Sequence, residues 1–247
     1  MKRLRTIRLF AAVLTLLLMI YIIIVAVRFK DTKQDDQCRG LSVTIKSENG
    51  KTFLTESEIV LALKNAGLHP NGKPMNEINT NKIKLEIRRN GLVSDVDVYK
   101  TPSDMIKIKV MEKTPVLRII TGSSDYYVDR KGEIMPASGK YAAYTPVASG
   151  NIEKDYARTN LYEFSLFLLE NEFWNNQIEQ IYIRPDKEVE LIPRVGDHRI
   201  LLGSFDNFKE KLSNLRLFYE QAIPKIGWNK YGIINLKYKN QIVCTKK

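Results

Sequence analysis

A long apolar run near the start of the chain predicts a helix. From Leu9 to Val27 the only polar side chains belong to Thr15 and Tyr21. A helix rises about 1.5 Å per residue, so this run would span roughly 28 Å, close to the hydrocarbon core of a bilayer. The run is also longer than the apolar core of a cleaved signal peptide. We therefore predict one uncleaved transmembrane helix over residues 9–27.

Basic residues precede this run with no acidic residue among them, whereas the bases behind it alternate with acids. Because positive charge is retained on the cytoplasmic side of a membrane helix, residues 1–8 are predicted to be cytoplasmic and the chain after Val27 to lie outside. Residues 28–40 are polar and are predicted to form a tether. The bases that set this topology are Lys2, Arg3, Arg5 and Arg8.

After the tether the pattern changes to short strands and helices. Leu41, Val43 and Ile45 alternate with polar residues, which is typical of a half-buried strand. Thr55 and Glu58 have the spacing of a capping box, which predicts the start of a helix.

A second helix and two more strands come next along the chain. Asn79 is a suitable N-cap for a helix that presents Ile83 and Ile87 on one face. Strict alternation around Val96–Val98 and over Ile106–Val110 then predicts two strands. The predicted order over residues 41–112 is therefore strand, helix, helix, strand, strand.

Residues 113–247 predict a larger domain of mixed α and β structure. Large apolar residues recur at helical spacing from Leu161 to Leu168 and from Leu212 to Ala222. Short alternating segments between and after them predict a mixed antiparallel β-sheet domain with helices on one side. Its last strand is predicted over Ile233–Val243, so the exported chain is α+β with two domains, 41–112 and 113–247.

The charge balance limits the class of partner. The chain has 39 Lys and Arg residues against 28 Asp and Glu residues, a formal net charge of +11. Beyond the N-terminal cluster the bases are scattered among acids, which favours a solvated surface beside an anionic membrane over a nucleic-acid groove. The two cysteines, Cys38 and Cys244, are far apart in sequence and predict neither a disulfide framework nor a metal site.

Familiar catalytic signatures are missing from the sequence. It has no nucleophile elbow, no Gly-rich phosphate loop and no HExxH motif. His69 and His198 fall in different predicted domains, and the spacing of Asp125 and Asp129 fits strand ends around a turn better than paired catalytic carboxylates. We predict no catalytic residue, metal, cofactor or small-molecule substrate.

The order of elements over residues 41–112 resembles a POTRA domain, a small module that binds other polypeptides, often at a strand edge. Together with the membrane helix before it and the larger domain after it, this module resembles the FtsQ and DivIB family of bacterial cell-division proteins. Thr114-Pro115-Val116 is similar to the family's Pro-led strand, and Tyr126–Gly132 is similar to its hairpin. Near its end the family has a glycine before a helix that contains Lys-Leu, and then a last strand. The similar segments here are Leu202-Gly203, Lys211-Leu212 and Ile234–Tyr238.

Two further details concern the branch of the family and a departure from its pattern. Leu191–Gly196 resembles the Bacteroidota branch of the family. Asn235 and Lys237 stand where better-known members have Asp and Arg, so contacts that depend on those charges are not transferred to this chain.

The resemblance implies a non-enzymatic, bitopic scaffold in the cell inner membrane at the division septum, with the bulk of the chain periplasmic. It would bind FtsB- and FtsL-like proteins and other divisome membrane proteins, linking early and late division proteins. The partner is expected along the terminal strand, because a last strand is well placed to be a sheet edge, with Tyr238 as an aromatic anchor. The predicted partner-binding residues are Ile233, Ile234, Asn235, Leu236, Lys237, Tyr238, Lys239, Asn240 and Gln241.

Two other classes remain open from the sequence. One is another membrane-anchored POTRA-type module for envelope transport or assembly. The other is an envelope hydrolase, which would require a catalytic cluster.

Overall fold

A computed structural model describes residues 13–26, 37–48, 50–139 and 141–247 of the protein. Residues 13–26 form helix α1, and most of its apolar side chains are exposed. Among the described residues, no helix is both long and apolar enough to cross a membrane. The ends of the predicted transmembrane helix, the tether as far as residue 36 and the N-terminal bases Lys2, Arg3, Arg5 and Arg8 lie outside the described residues.

The first folded unit is a three-stranded sheet with two helices. The strand order is β1-β3-β2, with β1 parallel and β2 antiparallel to the central β3. This is the predicted β-α-α-β-β order. The elements are β1 (Gly40–Lys46), α2 (Glu56–Asn65), α3 (Thr80–Arg88), β2 (Val93–Lys100) and β3 (Met105–Glu112).

Side-chain caps fix where the two helices of this unit begin. The Thr55 hydroxyl accepts a hydrogen bond from Glu58 N at 3.4 Å, and the Glu58 carboxylate accepts one from Thr55 N at 2.8 Å, which completes the predicted capping box. Asn79 Oδ1 likewise accepts from Lys82 N at 3.0 Å at the start of α3. Both helices then bury the predicted apolar faces against the sheet, through Ile59, Leu63, Ile83 and Ile87.

The second unit is a nine-stranded sheet with five helices among its described elements. The strand order is β12-β11-β10-β9-β8-β7-β4-β5-β6. Its strands are β4 (Pro115–Ile120), β5 (Asp125–Asp129), β6 (Ile134–Pro136), β7 (Val147–Gly150), β8 (Ile178–Ile183), β9 (Val189–Pro193), β10 (Arg199–Gly203), β11 (Tyr231–Asn235) and β12 (Val243–Lys246). Its helices are α4 (Lys154–Arg158), α5 (Asn160–Glu170), α6 (Glu172–Gln177), α7 (Phe208–Gln221) and α8 (Ile223–Ile226).

This sheet contains more parallel pairing than the sequence predicted. Strand β7 lies between β4 and β8 and is parallel to both, and β10 is parallel to β11. Parallel neighbours need a crossover connection, and helices α4–α6 and α7–α8 provide the longer ones. The sheet is therefore mixed, with five antiparallel and three parallel pairings among its nine described strands.

One row of side chains across the sheet forms the base of the core. The row takes one residue from each of eight neighbouring strands, and the strand register places these eight residues side by side. Because side chains alternate along a strand, the next residue of each strand points to the opposite face of the sheet. Helices α5 and α7 pack with this row, mainly through Phe164, Leu168, Leu212 and Leu215. The row consists of Tyr126, Ile119, Ala148, Ile181, Leu191, Ile200, Ile234 and Cys244.

The predicted terminal strand over Ile233–Val243 is wrong as a single edge strand. β11 ends at Asn235, whose side-chain oxygen accepts a hydrogen bond from Lys237 N at 2.9 Å and so turns the chain. Asn240 has a φ of 57°, which further prevents an extended course. The chain returns as β12, so β11 lies inside the sheet between β10 and β12, and β12 is the edge.

Candidate protein-binding edge

Strand β12 exposes backbone hydrogen-bonding groups at one end of the large sheet. Leu236 N donates to Leu201 O on β10 at 2.9 Å, so the preceding residue, Asn235, faces β12 and pairs with Val243. Since successive backbone groups alternate in direction, Cys244 faces away from β11. Lys246 does so too, because Lys247 N donates inward to Lys230 O at 3.4 Å.

A polar groove lies beside this edge. The loop 236–242 and the start of α7 enclose a cavity of about 470 Å³. The side chain of Tyr238 is 55% exposed in this loop, so it does not belong to the core. Amide, hydroxyl and ammonium groups dominate the lining, which includes Ser204, Asn207, Lys211, Asn240 and Gln241.

Two lysines beside the groove, Lys237 and Lys211, bond to different kinds of acceptor. Lys237 Nζ donates to the Glu188 carboxylate at 2.8 Å, and this hydrogen bond raises the pKa of Lys237. Lys211 Nζ donates to the carbonyls of Leu202 and Ser204, both at 2.9 Å, and burial lowers its pKa. Lys237 therefore ties the loop to the residue before β9, and Lys211 ties α7 to the end of β10.

The structure separates the predicted partner-binding residues into two groups. Ile234 and Leu236 are buried in the core, and Ile233 and Asn235 belong to the interior strand β11. Exposed side chains come from the loop, namely Tyr238, Lys239, Asn240 and Gln241. Lys237 belongs to the same loop but is tied to Glu188.

Sequence reasoning missed the residues that complete this surface. The outward backbone of Cys244 and Lys246 belongs to β12, and Ser204 and Asn207 come from the segment before α7. A signal for the break existed in Asn235 and Asn240, because asparagine favours turns and left-handed backbone. The alternation of apolar and polar residues from Ile234 to Tyr238 favours a continuous strand and conceals this signal.

The opposite edge of the large sheet is protected. Strand β6 is only three residues long, and its Pro136 has no N–H to donate. Lys113 Nζ approaches the carbonyl of Ile134 at 3.4 Å. Pro136 also lies against Gly91 of the first unit, where an added Cβ would be 2.9 Å from its Cδ atom.

The described residues hold no group of three or more His, Cys, Asp or Glu side chains that could bind a metal ion. Asp125 forms a two-pronged pair with Arg118, and Asp129 accepts hydrogen bonds from Lys131 N and Glu133 N within its hairpin. The two carboxylates lie at opposite ends of β5, beside different turns, rather than around a single turn as predicted. Cys38 and Cys244 are free thiols in separate units.

Two protein-family models match the two units of the chain. Residues 114–245 match the family model "FtsQ/DivIB, C-terminal related", and residues 36–111 match a POTRA-like domain. Among solved structures, the major extracytoplasmic domain of the trans isomer of the cell division protein DivIB from Geobacillus stearothermophilus is similar. That match has 15% identity and a TM-score of 0.32 over 47% of this chain and 98% of that chain. None of the curated proteins matches significantly. The FtsQ/DivIB model covers more than half of this chain, so the chain belongs to the FtsQ/DivIB family.

Proposed function

We propose that this protein is a non-enzymatic scaffold of the bacterial divisome, anchored in the cell inner membrane at the septum. Membership of the FtsQ/DivIB family points to a role in cell division. In this proposal the chain forms two extracytoplasmic domains, 41–112 and 113–247, that bind other division proteins. The open edge at β12, beside an exposed aromatic loop, is the observation that carries the binding role.

The proposed membrane anchor is the apolar run over residues 9–27. Residues 13–26 of this run are helical, and Leu14 and Ile23, like most of its apolar side chains, find no protein core to pack against. A bilayer would bury these side chains, and the preceding bases would keep residues 1–8 in the cytoplasm.

Topology is tested with reporter fusions. An alkaline phosphatase domain, which is active only outside the cytoplasm, is fused after Lys247 of the full-length chain. We expect high phosphatase activity, and we expect a cytoplasmic β-galactosidase reporter at the same position to be inactive. The reverse result would contradict the proposed orientation.

The proposed partner is an FtsB- or FtsL-like protein that adds a strand to β12. Strand addition would use the outward backbone groups of Cys244 and Lys246, while side chains of the partner enter the groove beside Tyr238. The segment Ile233–Gln241 then contributes through its loop residues rather than through β11. An aromatic side chain with a polar tip is a common anchor at such interfaces.

Lys246→Pro tests this docking mode in the full-length protein in detergent micelles. Proline removes an outward N–H, and its ring obstructs an added strand, whereas β11 pairing is preserved because Lys246 faces away from it. A net hydrogen bond contributes about 1 kcal/mol, so we expect binding to a purified FtsB-like protein to weaken about fivefold or more. Lys246→Ala is the matched control, since it removes the same charge but keeps the N–H.

Unchanged affinity of a folded Lys246→Pro variant would exclude strand addition at β12. The wider role is tested separately by placing a fluorescent fusion in dividing cells. We expect a band at midcell. An even distribution around the envelope would favour the transport or assembly class instead.

A further inference from the structure

A buried carboxylate lies at the joint between the two units. β3 ends at Glu112 and β4 begins at Pro115, so two residues connect the sheets. Glu112 is only 2% exposed, and its carboxylate accepts hydrogen bonds from Leu54 N at 2.6 Å and from Phe53 N at 3.1 Å. Burial raises the pKa of Glu112 above its usual range, while these two N–H groups act in the opposite direction.

The residue held by this carboxylate reaches across the joint. Phe53 precedes α2 in the first unit, but its ring contacts two tyrosines of the second unit edge-on. The ring centroids are 6.1 Å from Tyr127 and 4.9 Å from Tyr141. Phe53 is 6% exposed, and Met135 completes a small buried cluster with it. Glu112 therefore fixes the backbone of the residue whose ring connects the units.

Two polar contacts between the units are exposed. Arg130 and Glu48 lie 3.6 Å apart with about half of each side chain in solvent, and Lys131 Nζ donates to Ser94 Oγ at 3.1 Å. Exposed pairs of this kind contribute little, because water screens them and long side chains lose freedom. Two buried contacts therefore remain at the joint. Lys113, in the connection, donates its N–H to Leu92 O at 2.8 Å, and its Nζ atom lies 3.7 Å from the Asp129 carboxylate. The aromatic cluster places the Phe53 ring of the first unit among side chains of the second, and it is the contact that Glu112 holds.

We propose that Glu112 is a positioning residue that sets the orientation of the first unit relative to the nine-stranded sheet. Its carboxylate holds the Phe53–Leu54 backbone so that the Phe53 ring stays between Tyr127 and Tyr141. The inference goes beyond the division role and is independent of which partner binds β12.

The physical reason is that the two N–H groups have no equivalent acceptor once the carboxylate is removed. Buried donors without a partner are costly, so the segment would turn toward water to satisfy them. Turning the Phe53 backbone outward withdraws its ring from the tyrosines. The units then lose a buried contact across the joint, so their relative orientation varies more.

Pulsed electron–electron spin distance measurements on the full-length protein test the proposal. Spin labels are attached through a genetically encoded ketone amino acid at Leu85 on α3 and Leu217 on α7, whose side chains are both exposed. The parent protein should give one narrow distance peak. Glu112→Ala and Phe53→Ala should each lose that narrow peak and give a broad distribution. Phe173→Ala is the control, because the ring contacts of Phe173 with Trp174 and Arg216 lie within the second unit.

Two results would overturn the proposal. One is a Glu112→Ala protein that melts at a lower temperature but keeps the narrow peak, since Glu112 would then stabilise the first unit alone. The other is further broadening when Glu112→Gln is added to Phe53→Ala, because both changes should act through the same ring. If Glu112→Ala does not fold, Glu112→Gln replaces it, since glutamine keeps one acceptor oxygen but places donor hydrogens toward the other N–H group.

Discussion

The Nε2 atom of His198 lies 2.6 Å from the hydroxyl oxygen of Tyr219 in the core of the second unit. The imidazole is 2% exposed and stacks on Trp228 with a centroid distance of 6.2 Å. No described residue offers its Nδ1 atom a hydrogen bond. Burial, with a smaller effect of Lys247, lowers the pKa of His198, and Asp197 opposes this shift.

This geometry predicts that acid destabilises the second unit. Because the pKa is lower in the fold than the ordinary value of 6.5, the unfolded chain binds the proton more readily. The stability contributed by neutral His198 is complete above that value and is lost as the pH falls below it. Melting temperatures measured between about pH 7.5 and 5.5 should therefore fall in the parent protein and fall less in His198→Gln.

His69 serves as the control for this measurement. Its pKa is also lowered, first by burial and then by Lys64 and Lys73, but the side chain is only half-buried. His69→Gln should keep most of the pH dependence. If the melting temperature falls equally with pH in the parent protein and in His198→Gln, His198 does not cause the acid destabilisation.

Loss of the Thr55 cap should destabilise the first unit. Thr55→Ala removes the hydroxyl that accepts from Glu58 N and leaves that N–H with the Thr55 carbonyl at 3.2 Å as its protein acceptor. Substitutions of this kind cost about 1 kcal/mol. Urea unfolding followed by circular dichroism should show the loss, while Ser213→Ala on exposed helix surface should show none. An unaltered midpoint for Thr55→Ala would mean that the cap contributes nothing.

Gly150 should not tolerate even a methyl group. Its φ is 98°, and a Cβ built there would lie 2.1 Å from the carbonyl oxygen of Ile183 on the neighbouring strand β8. Gly150→Ala must separate β7 from β8 or strain the backbone, so we expect a loss of more than about 1 kcal/mol. Gly122→Ala is the matched control, because nothing lies within 4 Å of its built Cβ. Similar thermal stability of the two variants would contradict this interpretation of β7.

Tyr238 should matter for binding and not for stability. Its exposure in loop 236–242 separates the two roles, since Tyr238→Ala leaves the core unchanged. Truncation of an interfacial aromatic anchor often costs about 2 kcal/mol, so affinity for an FtsB-like partner should fall more than about tenfold at an unchanged melting temperature. Phe173→Ala, on a different surface, should bind normally. If Tyr238→Ala binds the partner with unchanged affinity, Tyr238 is not part of the interface.

Local signals predicted the first unit well. Thr55, Glu58 and Asn79 form their caps through neighbours three residues away, and the alternation in β3 requires no knowledge of the rest of the chain. Such short-range rules are visible in sequence because donor and acceptor are fixed by backbone geometry.

Long-range pairings were less accessible. Ala148 pairs with Ile119 and Ile181 on strands far away in sequence, and nothing in its own segment indicates parallel partners. The prediction of the binding site was wrong for the same reason. The segment that contains β11 was predicted to be the edge of the sheet, but β12 pairs with β11 and makes it an interior strand. Glu112 and Phe53 are 59 residues apart, so their hydrogen bond also depends on the finished fold.

The unequal edges of the nine-stranded sheet have a consequence for self-association. A sheet with two open edges can grow into a fibre, whereas this one is protected at β6 and open at β12. Two copies joined through β12 would expose only protected ends, so association through this sheet stops at a pair. A partner strand on β12 would occupy the same position, which makes the hetero-complex and such a pair mutually exclusive.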